Sequence, residues 1–146
     1  MGTTTFTGPI KAGSILNTSG TALGSDVTNV GFVVMAQSSA VTQASGSTTI
    51  VIPANSQIVS ISVMVTTAWT GVATTFGVGT TASATFLTAA GALDGAAIGP
   101  LSATPGTDAT RAGNWIDVGT TDRQIAVTST NTGSGVGVIT VTYIQA

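Results

Sequence analysis

A strict apolar–polar alternation runs through the middle of the chain and limits what it can become. Residues 47–69, STTIVIPANSQIVSISVMVTTAW, hold two apolar runs, Ile50 to Ile52 and Val59 to Val65. In the second run Val59, Ile61, Val63 and Val65 alternate with Ser60, Ser62, Met64 and Thr66. A period of two is that of a strand with one face on a core. The β-branched residues favour extended backbone because their χ1 freedom is already restricted. Pro53 has no N–H to give a ladder, so the first strand should end there and Pro53 to Ser56 should turn. The pair of strands is expected to sit at the centre of a core, with Val59, Ile61, Val63 and Val65 inward and an uncharged outer face.

The rest of the chain repeats this grammar. Its 146 residues suffice for one ordinary domain. Residues 1–28 show no sustained period and read as an extended N-terminal arm with scattered apolar anchors. From residue 29 strands recur. Residues 29–37 form an apolar run that residues 41–43 continue or pair with, and residues 72–78 and 84–87 read as further strands. Gly77 and Gly79 suggest a bulge or a close backbone approach. Residues 88–113, broken by glycines and by Pro100 and Pro105, read as a long connection with at most a turn of helix. Strands are expected again at 113–119, 123–130 and 136–144, the last two joined by a Gly-rich hairpin loop over 131–135. Eight or nine short strands without a helix predict an all-β jelly roll or related antiparallel β-sandwich over residues 29–146.

Composition narrows function chiefly by exclusion. Charged residues are 5% of the chain, against about 25% in ordinary soluble proteins. They are Lys11, Arg111, Arg123 and the aspartates 26, 94, 108, 117 and 122. So little charge points to surface that ends against other protein in a permanent assembly. The other reading is a secreted or robust β protein kept soluble by Thr and Ser hydroxyls. The opening MGTTTFTGPIKAG has neither the basic nor the apolar region of a secretory signal, so a non-secreted protein is expected. No stretch has the apolar length of a membrane helix, and three scattered cations make no footprint for nucleic acid or an anionic membrane.

Catalytic groups are hard to assemble from this alphabet. With no His and no Cys, a Ser-His-Asp triad, thiolate chemistry and histidine metal sites are unavailable. Asp94 with Asp108, or Asp117 with Asp122, could in principle pair as carboxylates, but each lies beside turn glycines where Asp closes turns. The segment 117–122 also lacks the ligand density of a calcium loop, and Arg111 and Arg123 offer ion pairs to Asp108, Asp117 or Asp122. No catalytic residue, cofactor site or metal site is therefore expected. Trp69 and Trp115 read first as core or rim packing and second as interface anchors. Thr-rich runs raise ice binding, but no fixed Thr repeat supports it.

Several stretches together resemble the small all-β decoration, or cement, proteins of tailed bacteriophage heads. They are FTGPIKAGSI (6–15), NVGFVVMAQ (29–37), IPANSQIVSISVMVTTAW (52–69) and ITVTYIQA (139–146). The resemblance rests on the arrangement of arm, strands and composition; none of these stretches is a mechanistic motif. It implies a non-enzymatic virion protein, made in the bacterial host cytoplasm, that binds the outside of an icosahedral head. There it would bridge neighbouring major capsid subunits, as a homotrimer, without nucleic acid or membrane. Phe6, Pro9, Ile10, Lys11 and Ile15 of the arm, with Trp69 and Trp115, are the expected interface residues, and the 88–113 loop is expected to contribute. The alternative is a head-fibre base or tail-associated module that recognises a host glycan on an exposed Trp.

Overall fold

In the computed structural model, residues 34–130 and 133–145 are described. Eight strands and one helix follow in the order β1 Val34–Thr42, β2 Gly46–Ile52, β3 Ser56–Thr67, β4 Thr75–Thr80, β5 Leu93–Asp94, β6 Gly99–Ser102, α1 Ala109–Ile116, β7 Arg123–Ser129 and β8 Val136–Gln145. They make two four-stranded antiparallel sheets, β1-β8-β3-β6 and β2-β7-β4-β5. This is the β-sandwich expected from the strand spacing. The pairings have a simple logic: first strand with last, second with seventh, third with sixth, fourth with fifth. The chain is one long antiparallel ribbon, rolled so that β8 also meets β3 and β7 also meets β4.

Rolling places consecutive strands in opposite sheets, except β4 and β5, which pair with each other. β2 and β3 therefore do not pair with each other, as the sequence suggested, but turn a corner between the sheets. Asn55 makes that corner with φ at 57°, a left-handed conformation that Asn tolerates better than most residues. The corner is pinned where Asn55 N–H donates to the Gly119 carbonyl (2.8 Å) and Ala54 N–H to Asp122 Oδ1 (3.0 Å). The segment between β7 and β8 likewise joins the two sheets and is not a hairpin; Asn131 and Thr132 lie outside the described residues.

The inward rows supply the core: Ile50 and Ile52, Ile61, Val63 and Val65, Phe76 and Val78, Ile125 and Val127, Ile139, Val141 and Tyr143. Val59 is not among them. It is 47% exposed, because the β3–β8 register shifts between Ile58 and Ser60. A bulge adds one residue, so Ser56 and Ile58 point inward before it and Ile61 onward after it.

Three further expectations change. Residues 84–87 are a turn and not a strand. β5 covers only Thr75 and Phe76 of β4, and beyond it single residues of this loop stand in as partners. Thr88 N–H donates to the Val78 carbonyl (3.0 Å), Thr88 Oγ1 accepts from Val78 N–H (2.8 Å), and Thr80 exchanges backbone bonds with Ser83. Within 88–113 the chain forms β5 and β6 in what was expected to be a connection, along with the turn of helix that the reading allowed, the first turn of α1. Pro100 is tolerated because β6 is an edge strand. The segment 113–119, expected as a strand, finishes α1 instead. Asp108 caps that helix by accepting from Arg111 N–H at 2.9 Å, and Asp117 N–H bonds back to the Gly113 carbonyl.

The close approach expected at Gly77 and Gly79 is present. A Cβ on Gly79 would fall against the carbonyls of Ser83 and Ala84, whereas one on Gly46 would meet nothing within 4 Å. Gly79→Ala should therefore cost about 2 kcal/mol or more, since backbone rather than a flexible side chain must move. Gly46→Ala should change stability by about 0.5 kcal/mol or less. Urea unfolding midpoints of the two variants check this.

Candidate binding surface

Each carboxylate expected to close a turn does so. Asp94 Oδ1 accepts from Thr74 Oγ1 (2.6 Å) and Ala96 N–H (3.0 Å). Asp117 Oδ1 takes Gly119 N–H (2.8 Å), and Asp122 holds the β2–β3 corner. Arg111 pairs with Asp108 at 3.7 Å and donates to the Pro105 carbonyl. Arg123 donates to the Val118 carbonyl and lies 4.9 Å over the Phe86 ring. No cluster of three acidic, His or Cys side chains suited to a metal occurs among the described residues. No helix among them is long and apolar enough to cross a membrane.

The two tryptophans are packing residues to different degrees. Trp69 is 2% exposed and stacks on Phe76 with ring centroids 4.2 Å apart. It fits because Gly95 and Gly135 carry no Cβ where the indole lies. Trp115 is half-buried, packs against the core and donates its indole N–H to the Leu87 carbonyl at 2.9 Å. Phe6, Pro9, Ile10, Lys11 and Ile15 lie outside the described residues.

Neutral polar side chains fasten the sandwich at its margins. Gln43, fully buried, ties three loops together at one end. Its Nε2 donates to the Thr70 carbonyl (2.5 Å) and its Oε1 accepts from Thr70 N–H (2.9 Å) and Gly135 N–H (3.3 Å). Along one side Gln37 reaches from β1 to β2: Nε2 donates to the Val51 carbonyl (2.7 Å) and Oε1 accepts from Val51 N–H (3.1 Å). Ser39 Oγ accepts from Thr49 N–H at 3.3 Å. These side chains satisfy β2 where a ninth strand would otherwise lie.

The broadest uncharged surface among the described residues is the outer face of the β1-β8-β3-β6 sheet. The register lays it out in rows. Ala40, Val138, Met64 and Pro100 form one, and Ser38, Thr140, Ser62 and Ser102 the next. Ala36, Thr142 and Ser60 follow, then Val34, Ile144 and Gln57. None of these positions carries a charge. The charged side chains of the described residues are elsewhere, on β5, at α1, in the 117–122 turn and at the start of β7. Val34 (56%), Met64 (47%), Val138 (39%) and Val136 (38%) leave apolar surface open on this face. The alternation in β3 announced one column of it. The other columns needed the register, which no local pattern carries.

No family model matches the chain, and no curated protein sequence matches it. Among solved structures it is similar in fold to a chain of the cyanophage Pam1 capsid asymmetric unit, with TM-score 0.52 and 21% identity over 81% of this chain and 89% of that one. A chain of the acid-stable capsid of Helicobacter pylori bacteriophage KHP30 aligns with TM-score 0.48 and 18% identity over 77% and 87%. At these identities the likeness is one of fold.

The Thr74 hydroxyl first, then Ala96 N–H, holds the Asp94 carboxyl below its ordinary value of 3.8. The Arg111 N–H does the same for Asp108. Whatever these bonds contribute is present above the ordinary carboxylate range and lost as pH falls through the depressed value. In a carbon-detected NMR titration both midpoints should lie below 3.8. Thr74→Val should raise that of Asp94 and leave that of Asp108 in place.

Proposed function

We propose that this chain is a non-enzymatic structural protein of a tailed-phage virion, placed on the outer surface of the icosahedral head after synthesis in the host cytoplasm. It would stabilise the head by bridging neighbouring major capsid subunits, as a homotrimer at each site. The observation that carries this reading is the uncharged outer face of the β1-β8-β3-β6 sheet. A face of this kind belongs against protein, since charge is what interface cores lack relative to ordinary surface. The strand pairing, first with last through fourth with fifth, matches the jelly-roll wrapping common in viral capsid and lectin domains. The fold likeness to a chain of a phage capsid asymmetric unit supports the same setting.

Size decides how such binding must work. Four strands about 4.8 Å apart, with a row every two residues, give this face roughly 500 Å². A stable pairwise interface needs roughly 800 Å² on each partner. One copy on one face would hold weakly; several linked copies, each touching more than one capsid subunit, would hold firmly. The arm residues Phe6, Pro9, Ile10, Lys11 and Ile15 are the proposed source of further contact area, with Trp115 at the rim. A glycan-binding module would need a free aromatic platform. Trp69 is 2% exposed, and Trp115 is half-buried against the core with its indole N–H held by the Leu87 carbonyl, so that alternative stands second.

Empty, expanded heads of the phage whose genome carries the gene should co-sediment the purified protein and melt at higher temperature with it bound. Ser62→Glu should weaken binding at least tenfold, because about 1.4 kcal/mol is enough for that and an unpaired interface charge costs more. Circular dichroism should remain native in this variant. Removing residues 1–12 should weaken binding while the β domain stays folded. Absence of co-sedimentation at micromolar concentration would sink the proposal.

A further inference from the structure

Polar side chains beside α1 converge on a cleft that the packing of the sandwich does not use. Its volume is about 430 Å³, and it lies between the 83–86 turn and α1. Small-molecule sites begin at roughly 300 Å³. Two side chains in it are fixed by the scaffold and keep bonding capacity to spare. Arg111, with its side chain 22% exposed, is tethered through Nε to the Pro105 carbonyl at 2.8 Å. Its terminal amino groups have no hydrogen bond among the described residues; Nη1 is 3.7 Å from Asp108 Oδ2, too far for one. Asn114 donates Nδ2 to the Phe86 carbonyl at 2.9 Å, which sets the orientation of its amide and leaves Oδ1 open. The Thr85 and Thr110 hydroxyls line the same space and are unbonded among the described residues.

The chemistry of these groups selects the ligand. Asp108 accepts from Arg111 N–H at 2.9 Å and so already caps the end of α1. Its carboxylate offsets the guanidinium charge and repels phosphate or sulfate. An apolar ligand would strip water from a guanidinium, a carboxylate and an amide and return no bond to any of them. A sugar hydroxyl is donor and acceptor at once, so it can accept from Arg111 Nη and donate to Asn114 Oδ1 or Asp108 Oδ2. Its bonds to the charged pair are the stronger kind. We propose that this cleft binds a neutral sugar through Arg111, Asp108 and Asn114, with the Thr85 and Thr110 hydroxyls completing the set. Without a stacking tryptophan each cleft holds its sugar only in the millimolar range. Avidity across many copies would strengthen that hold, a gain that rests on the assembly on a head proposed above. No strand contributes to the lining, so the cleft is separate from the uncharged sheet face.

The test needs no heads, so its outcome is separate from that of the head-binding experiment. Glucose, galactose and N-acetylglucosamine are the probes, each titrated into isotope-labelled protein and followed by amide NMR, with inorganic phosphate as the anionic comparison. At least one sugar should shift the amides of residues 83–86 and 108–114 saturably, with a millimolar Kd. Asp108→Asn keeps the helix cap, since Asn caps as well as Asp, and Thr110→Val keeps the shape of its side chain. Together they should weaken sugar binding at least tenfold while circular dichroism and co-sedimentation with heads stay as in the parent. Shifts that never saturate for any of the three sugars would overturn the proposal, as would an equal Kd in the double variant. Saturable binding of phosphate at the same amides would also overturn it, by assigning the cleft to anions.

Discussion

The rest of the structure depends on the pairing of β3 with β8. They are the longest strands, of 12 and 10 residues, and lie side by side inside one sheet. Their inward rows set Ile61 against Val141 and Val63 against Ile139, all four at 1% exposure or less. That pair is brought together from about 80 residues apart in sequence, so its closure entropy is met only when the ribbon has rolled. Once it forms, β1 and β6 have a sheet to flank and the second sheet has a surface to cover. The bulge at Val59 shows how tightly that register is held. It shifts the phase of the strand once, between Ile58 and Ser60, so that both halves keep an apolar row on the core.

Much of this was legible beforehand, for reasons visible residue by residue. Alternation in β3 names its inward row from Ile61 onward because a strand half in a core repeats every two residues. Val59 was misplaced because a bulge is a property of two strands, and the partner lies some 80 residues on in sequence. β5 and β6 were missed for a related reason. They are extended because β3 and β4 have edges to satisfy, and not because their own residues prefer it. α1 did carry a local signal, the cap Asp108 three residues before Arg111, which the glycine at 113 and the β-branched Ile116 obscured. The outward column of β3 could be read from sequence, but the uncharged face is a sum over four strands that only the register aligns.

The structure also explains a composition rich in Thr and Ser and poor in charge. Hydroxyls and amides here replace missing strand partners. Thr88 serves β4, Gln37 and Ser39 serve β2, and Thr48 bridges the β2–β7 irregularity by donating to the Ile125 carbonyl at 2.8 Å. Each is short and neutral, so it can be buried without the desolvation cost that a Lys or Glu would bring. Gln43 does the same for three loops at once. Low charge is in this sense a feature of the interior and margins as much as of the surface.

The separation of charge from the β1-β8-β3-β6 face has a consequence for solution conditions. Ions screen charges, and that face offers them nothing to screen. A partner laid on it would be held by apolar contact and neutral hydrogen bonds, whose strength added sodium chloride hardly changes and sulfate increases. A surface of this kind responds to the kind of salt around it and hardly to ionic strength as such.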